Sequence, residues 1–235
     1  MVHHAAGLTI YFGDAHDGLM ADQYLSLPPV HLKNTLAPFA RVCESLDAHT
    51  LYFLHQIHSV QGYRVETLLP SVPAFGKQGD FLSTNSPGIA LGVMAADCVP
   101  IVLFDKVNRA WSMVHAGWRG TQAGIVDAAL AHMATHYGTW VGQLEAFIGP
   151  AARSCCYEVK EDLIEQFQDR SFFYQREMKW YFDLPAFISK QLTTAGVSSI
   201  DTHACQCTIC NVRWCSFRRQ AAAAGRQMTV AVMHW

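Results

Sequence analysis

The stretch IALGVMAADCVPIVLFDKVNRAWSMVHAGWRGT, residues 89–121, decides the architecture. Within it Ile89 to Met94, Val99 to Phe104 and Ala110 to Val114 are apolar runs of strand length, and the polar turn Asp105 to Arg109 makes the last two a hairpin. Thr121 then stands where a helix cap is expected. Ile125, Val126, Ala129, Leu130, Met133 and Ala134 share one helical face through Tyr137, and Gly138 ends the helix. Upstream, Leu51 to Ile57 reads as another strand. Downstream, Leu144 to Ile148 reads as a strand, Val159 to Phe167 as a helix, and Leu184 to Ala195 as a helix capped by Asp183 and stopped by Gly196. Ser216 to Ala224 is expected to be helical, and Met228 to Met233 to be a buried strand. The Pro-bearing stretches Leu27 to Val30 and Pro70 to Ala74 are loops too short to be linkers. Helices and strands mix to the end of the chain, so an α+β or mixed α/β fold in a single domain, residues 1–235, is expected.

Composition agrees with one large core. Apolar residues make up 51% of the chain and charged residues 15%, against roughly a quarter in an average globular protein. Seventeen Lys and Arg against nineteen Asp and Glu leave a net charge of −2, without the basic excess that nucleic-acid binding requires. The opening MVHHAAGLTIYFGDAHDG has no basic stretch followed by an apolar core, and no run is long enough to cross a membrane, so the expected location is cytoplasmic. There the eight cysteines are expected as thiols or metal ligands.

Three strand ends carry a soft or imidazole donor: His58 in LHQIHS, Cys98 in AADCVP and His115 in VHAGWRG. Zinc accepts imidazole nitrogen and thiolate sulfur, and a catalytic zinc keeps three protein ligands and one open position. One Cys and two His fill that role only if the fold converges them, because spacings of forty and seventeen residues form no compact motif. The plain alternative is a surface histidine, a small buried thiol and a hydrogen-bonded core histidine. Next to His115, Gly117 to Gly120 leads into a helix, so backbone N–H groups and the Arg119 guanidinium could meet an anion such as phosphate. Arg218 and Arg219 are the other candidates for that anion. Asp80, in a Gly-Gln-Gly-Asp loop, could orient a sugar hydroxyl or a water. His55 points away from His58 on an extended chain and suits a supporting or substrate-binding role better than ligation. Cys155-Cys156-Tyr157-Glu158 could line a pocket rim. Cys205, Cys207, Cys210 and Cys215 have the spacing of a structural zinc or iron–sulfur cluster, with a purely structural reading beside it.

The motifs HQIHS, GKQGDFLST, ADCVPIVLFD, HAGWRGT, IGPAARSCCYEV and CTICNVRWCSFRR, in this order over roughly residues 50 to 235, resemble those of the laccase-domain family. That family is also called multicopper polyphenol oxidase or peptidoglycan editing factor, and its members are described as purine nucleoside phosphorylases. The resemblance implies a mixed α/β sandwich with sheets inside and helices outside. It also implies zinc on His58, Cys98 and His115, with copper as an alternative metal. Its Cys-Thr and Ser-aromatic-Arg-Arg pattern fits Cys207-Thr208 and Ser216 to Arg219 without requiring a second metal. The N-terminal fifty residues depart from the family, with Gly7-Leu8-Thr9 and Asn34-Thr35 where a Gly-Val-Ser-like strand and an Asn-Arg pair are usual.

The activity implied is phosphorolysis of adenosine, inosine and methylthioadenosine, together with adenosine deamination, with nucleoside and phosphate as partners and a monomer or homodimer as the assembly. The rivals are a Cys98–His115 thiol hydrolase, copper polyphenol oxidation, and a non-catalytic role in peptidoglycan-precursor editing or partner binding through a Trp-rich surface.

Overall fold

Ile89–Ala95, Val99–Asp105 and Ala110–Ala116 are strands of seven residues each, buried at every position. Such continuous burial means that both faces of their sheets are covered. The structure is a computed structural model that describes residues 1–17, 19–20, 37–66 and 77–234. The stretches Leu27 to Val30 and Pro70 to Ala74, and the pair Asn34-Thr35, lie outside the described residues.

In chain order the strands are β1 (Val2–Ala5), β2 (Leu8–Phe12), β3 (Leu19–Met20), β4 (Thr50–Tyr52), β5 (Gly62–Arg64), β6 (Phe81–Thr84), β7 (Ile89–Ala95), β8 (Val99–Asp105), β9 (Ala110–Ala116), β10 (Leu144–Ile148), β11 (Glu158–Val159), β12 (Phe173–Arg176), β13 (Lys179–Phe182), β14 (Ser199–Asp201) and β15 (Gly225–Met233). The helices are α1 (Ala37–Ser45), α2 (Trp118–Gln122), α3 (Ile125–Tyr137), α4 (Glu161–Ile164), α5 (Leu184–Ala195) and α6 (Phe217–Gln220). One sheet runs β1-β2-β15-β7-β4 with β3 beside β15, a second runs β14-β10-β8-β9-β6-β5, and β11-β13-β12 form a small third.

The period-two alternation of the strands sorts their side chains into layers. Ile89, Leu91 and Val93 of β7 meet Val102 and Phe104 of β8 and Trp111 and Met113 of β9 in an apolar layer between the two large sheets. On the far side of the first sheet, Ala90, Met94, Met228, Val230 and Val232 pack against Phe39 and Val42 of α1 and Leu46 just after it. On the far side of the second, Val99, Ile101, Leu103 and Val114 pack against α3 and α5 through Ile125, Ala129, Met133, Ile188 and Leu192. The result is the mixed α/β sandwich with sheets inside and helices outside.

Several local expectations need correction. Thr121 caps nothing: α2 already begins at Trp118, Thr121 is buried within it, and the chain passes Gly124 at φ +90° before α3 starts at Ile125. Only glycine adopts that backbone angle without steric cost. Leu51 to Ile57 keeps strand structure only in β4, Val159 to Phe167 shrinks to α4 behind β11, and Ser216 to Ala224 becomes α6 followed by a 3₁₀ turn. The hairpin and the α5 cap form as expected. Asp105 accepts the backbone N–H of Val107 and Asn108 at 3.0 Å each, Asp183 accepts that of Ala186 at 3.2 Å, and Gly196 takes φ +97°. The tryptophans do not build a surface: Trp111 and Trp214 are fully buried, and Trp140 alone among the described residues is a largely exposed tryptophan.

Candidate metal centre

The chain crosses from the first sheet to the second in three residues, Ala96-Asp97-Cys98, between the end of β7 and the start of β8. Cys98 therefore stands at the mouth of the gap between the sheets. Beside it β9 pairs Ala116 with Val99, and His115 shares the strand parity of Trp111 and Met113, which face the other sheet. His58 comes from the loop after β4. The ligating atoms of His58, Cys98 and His115 lie within 4.8 Å of one another. Cys98 Sγ is 3.7 Å from His58 Nε2. Tetrahedral zinc with Zn–S of about 2.3 Å and Zn–N of about 2.05 Å separates its sulfur and nitrogen by about 3.6 Å, so these donors fit that ion.

Asp80 braces the group from beneath. It is fully buried and accepts hydrogen bonds from His115 Nδ1 (2.9 Å), the His58 N–H (3.0 Å), the Ser59 N–H (2.5 Å) and the Ser59 hydroxyl (2.8 Å). Burial opposes its charge, but the His115 imidazole and the Ser59 donors outweigh burial and hold the carboxyl below its ordinary range. The bond to Nδ1 fixes the His115 tautomer and leaves Nε2 for a metal. The same carboxylate holds His58 at φ +60°, a left-handed conformation that costs a non-glycine residue on the order of 1 kcal/mol.

Cys98 is poised as a thiolate. Burial pushes its pKa up, but His115 and then His58 bring it down to about 6. Burial lowers His115 in turn, and the Cys98 sulfur and Asp80 raise it to about 9. Without a metal the two make a thiolate–imidazolium pair, in which a divalent cation would replace a proton. Gly117 leaves room for this contact: a Cβ there would stand 2.7 Å from His58 Cδ2 and 3.0 Å from Cys98 Sγ.

The three side chains lie in a cavity of about 420 Å³. Leu54, Met94, Trp118, Leu184 and Phe217 supply its apolar wall, Arg119, Arg218 and Arg226 its positive charge, and Asp97 a carboxylate. Arg218 donates to the Glu158 carbonyl and Arg226 to those of Ala224 and Gly225, whereas Arg119 is exposed and stacks 4.4 Å over Trp118 with no protein acceptor among the described residues. Arg219 turns away and binds the carbonyls of Thr208, Ile209 and Trp214.

Two expected contributors lie outside the cavity lining. Asp80 serves His115 and the His58-Ser59 backbone instead of a sugar or water, and His55 is exposed, its backbone paired with the 77–79 segment. Two residues not singled out from the sequence, Gln56 and Asp97, prove structural to the site, beside Tyr157, which the sequence places at a pocket rim. Gln56 clasps the Met94 N–H and carbonyl at 2.8 and 2.7 Å. Asp97, at φ +87°, accepts Thr208 Oγ1 at 2.6 Å and the Arg218 N–H at 2.7 Å. Tyr157 lines the cavity, and burial, then the nearby Cys98 sulfur, raise its hydroxyl to about 12. Gln56 and Asp97 both stand inside the quoted motifs, so adjacency to the His-x-x-His and Asp-Cys signals was the available clue.

The four spaced cysteines do not assemble as the spacing suggests. Cys205 and Cys215 are buried apart, and Cys207 and Cys210 meet Cys155 and Cys156 instead, all four sulfurs lying within 4.8 Å of one another.

The sequence profile of the family described as multi-copper polyphenol oxidoreductase laccase matches residues 32–234. The purine nucleoside phosphorylase of Clostridium acetobutylicum is 31% identical over 159 residues, covering 66% of this chain and 67% of that protein. An adenosine deaminase from an unknown prokaryotic organism is 34% identical over 159 residues, covering 64% and 60% respectively. The crystal structure of a Neisseria meningitidis protein of the DUF152 family superposes with a TM-score of 0.80 at 23% identity, covering 100% of this chain and 99% of that one, a likeness of fold. No helix among the described residues is long and apolar enough to cross a membrane.

Proposed function

The chain belongs to the multi-copper polyphenol oxidoreductase laccase family, and from that premise we propose that it is a zinc-dependent purine nucleoside phosphorylase acting on adenosine, inosine and methylthioadenosine, with adenosine deaminase activity in the same cavity. The observation that carries this reading is the convergence of His58, Cys98 and His115 on a cavity that also holds an uncommitted guanidinium, Arg119. The similarity to proteins named for both activities supports it. His58, Cys98 and His115 would hold zinc, which when bound supplies Lewis acidity to substrate or water.

In phosphorolysis a phosphate oxygen bonds to the sugar C1′ while the bond from C1′ to the purine breaks, and the base departs with the electron pair. Arg119 at the cavity edge pairs with the phosphate through a charge-assisted contact. Leu54, Met94, Trp118 and Phe217 take the flat base and keep water from it. The Tyr157 hydroxyl stays protonated at neutral pH and donates a hydrogen bond to substrate oxygen or nitrogen. Deamination needs the same apolar seat but no phosphate: the oxygen of water bonds to the purine carbon that bears the amine, that C–N bond breaks, and ammonia leaves with a proton from the water.

Chromatography of adenosine, inosine and methylthioadenosine incubated with and without phosphate tests the reading. Free base and sugar phosphate formed only with phosphate support it, and intact nucleosides under all conditions refute it. A second reading rests on the line Cys98–His115–Asp80, which without metal is a thiol-hydrolase arrangement. Stoichiometric metal in the active protein excludes it. Copper polyphenol oxidation finds less support, because neither group of three or more His and Cys donors among the described residues has the several histidines such chemistry uses.

A further inference from the structure

Two turns meet beside the crossing that carries Cys98. The first, Arg153 to Cys156, is closed by the Cys156 and Tyr157 N–H groups on the Arg153 carbonyl at 2.9 and 2.8 Å. The second runs from Cys207 to Cys210 and is tied to the first stretch by Thr208 N–H on the Ala151 carbonyl (3.0 Å) and Ala151 N–H on the Gln206 carbonyl (3.1 Å). Each turn presents two thiols, and Cys155 Sγ lies 3.9 Å from Cys210 Sγ. A tetrahedral ion with Zn–S of about 2.3 Å separates its sulfurs by about 3.8 Å. We propose that Cys155, Cys156, Cys207 and Cys210 bind one zinc ion through four thiolates, a second metal centre that fastens the two turns together.

Two of the four thiols, Cys155 and Cys156, resist ionisation unless a cation joins them. Burial and the neighbouring thiols push Cys155 and Cys156 up, the latter to about 11. Cys207 goes the other way: burial pushes it up, but the backbone N–H groups of Cys210 and Arg153, the Cys155 thiol and the Ile209 N–H outweigh burial. A Cys-x-x-Cys turn that points its own N–H groups at a ligating sulfur is already shaped for a metal, and binding releases the remaining thiol protons to solvent. The Arg219 guanidinium, bonded to the Thr208 and Ile209 carbonyls within the second turn, offsets part of the negative charge.

The centre is structural, since its four protein donors leave no open position. Its effect reaches the first site through Asp97: Ala152 at the head of the first turn donates to the Asp97 carbonyl at 2.9 Å, and Thr208 within the second donates to its carboxylate at 2.6 Å. Both turns thus hold the residue that precedes Cys98.

Elemental analysis of protein purified under reducing conditions and washed with a weak chelator tests the assignment. Two zinc per chain are expected in the unaltered protein, one in Cys98→Ala, one in Cys207→Ser and one in the surface variant Cys155→Ser. Cobalt loaded into Cys98→Ala should show the intense visible bands of a tetrahedral thiolate site, a readout that leaves all four cysteines in place. Metal-free Cys98→Ala without those bands overturns the proposal, and so does a second equivalent that is iron with acid-labile sulfide. Six instead of eight reactive thiols in the unfolded, unreduced chain, with the missing pair mapped by peptide analysis to two of Cys155, Cys156, Cys207 and Cys210, would reveal a disulfide there and overturn it too. The first site fails separately: there the metal content of Cys98→Ala would equal that of the unaltered protein.

Discussion

The two sulfur-bearing centres differ in what surrounds the donors. At His58, Cys98 and His115 the donors number three, lie on a cavity and are held by Asp80 beneath them, while the neighbouring Arg119 stacks on Trp118 and has no protein hydrogen-bond acceptor among the described residues. At Cys155, Cys156, Cys207 and Cys210 the donors number four and come from two turns, with Cys155 and Cys210 exposed and Cys156 at the edge of a second cavity that Glu158, Lys160 and Asp162 also line. An incomplete donor set at a cavity is suited to chemistry, whereas a complete set between turns is suited to holding the chain together. The contrast separates function from stability, and substitutions can test that separation.

The largest effect is expected from removing one sulfur of each centre. Cys98→Ala should lose about 1,000-fold or more in nucleoside turnover, several kcal/mol of transition-state stabilisation, while circular dichroism shows the fold intact. Cys207→Ser should instead lower Tm by roughly 6–12 °C, about 3 kcal/mol, and keep the metal at Cys98. If Cys98→Ala unfolds while Cys207→Ser merely loses turnover, the roles are reversed.

Arg119→Ala should cost phosphate-dependent turnover about thirty- to a hundred-fold, on the order of 2–3 kcal/mol at that step, and deamination far less. Arg119→Lys should restore little, because a point charge replaces a planar fork. Equal loss in both reactions would move the phosphate to Arg218 or Arg226.

Asp80→Asn should weaken metal affinity or activity about 10- to 100-fold by freeing the His115 ring. The same carboxyl also predicts acid behaviour. Its folded pKa lies below 3.8, so its stabilisation is complete above that value and disappears as pH falls further. The Asn variant should therefore show a flatter acid limb in a stability-versus-pH series, and an unchanged limb would assign acid sensitivity elsewhere.

Gly117→Ala should cost about 1–3 kcal/mol of stability or an equivalent displacement of His58 and Cys98, since the added methyl meets both, with metal content falling at limiting zinc. At the small end, Cys205→Ser and Cys215→Ser should leave both metal equivalents in place. Loss of one would return those buried thiols to the second centre.

Much of the scaffold was legible because its signals are local. Apolar runs at Ile89, Val99 and Ala110, the Asp105 turn, and the Asp183 cap with its Gly196 stop each rest on residues within a few positions of one another. Thr121 misled because capping preference says nothing of a helix that begins three residues earlier and breaks at Gly124. The Cys-x-x-Cys spacing of Cys207 and Cys210 marked half of a metal centre, but Cys205 and Cys215 completed it only on paper.

By itself the sequence determined the alternation of strands and helices, the apolar character of the central strands and the identities of the donors. Tertiary structure alone decided which donors meet. Asp80 reaches His115 across thirty-five residues, and Cys210 reaches Cys155 across fifty-five. Such closures depend on where two sheets and two turns cross, and spacing along the chain carries no record of that crossing.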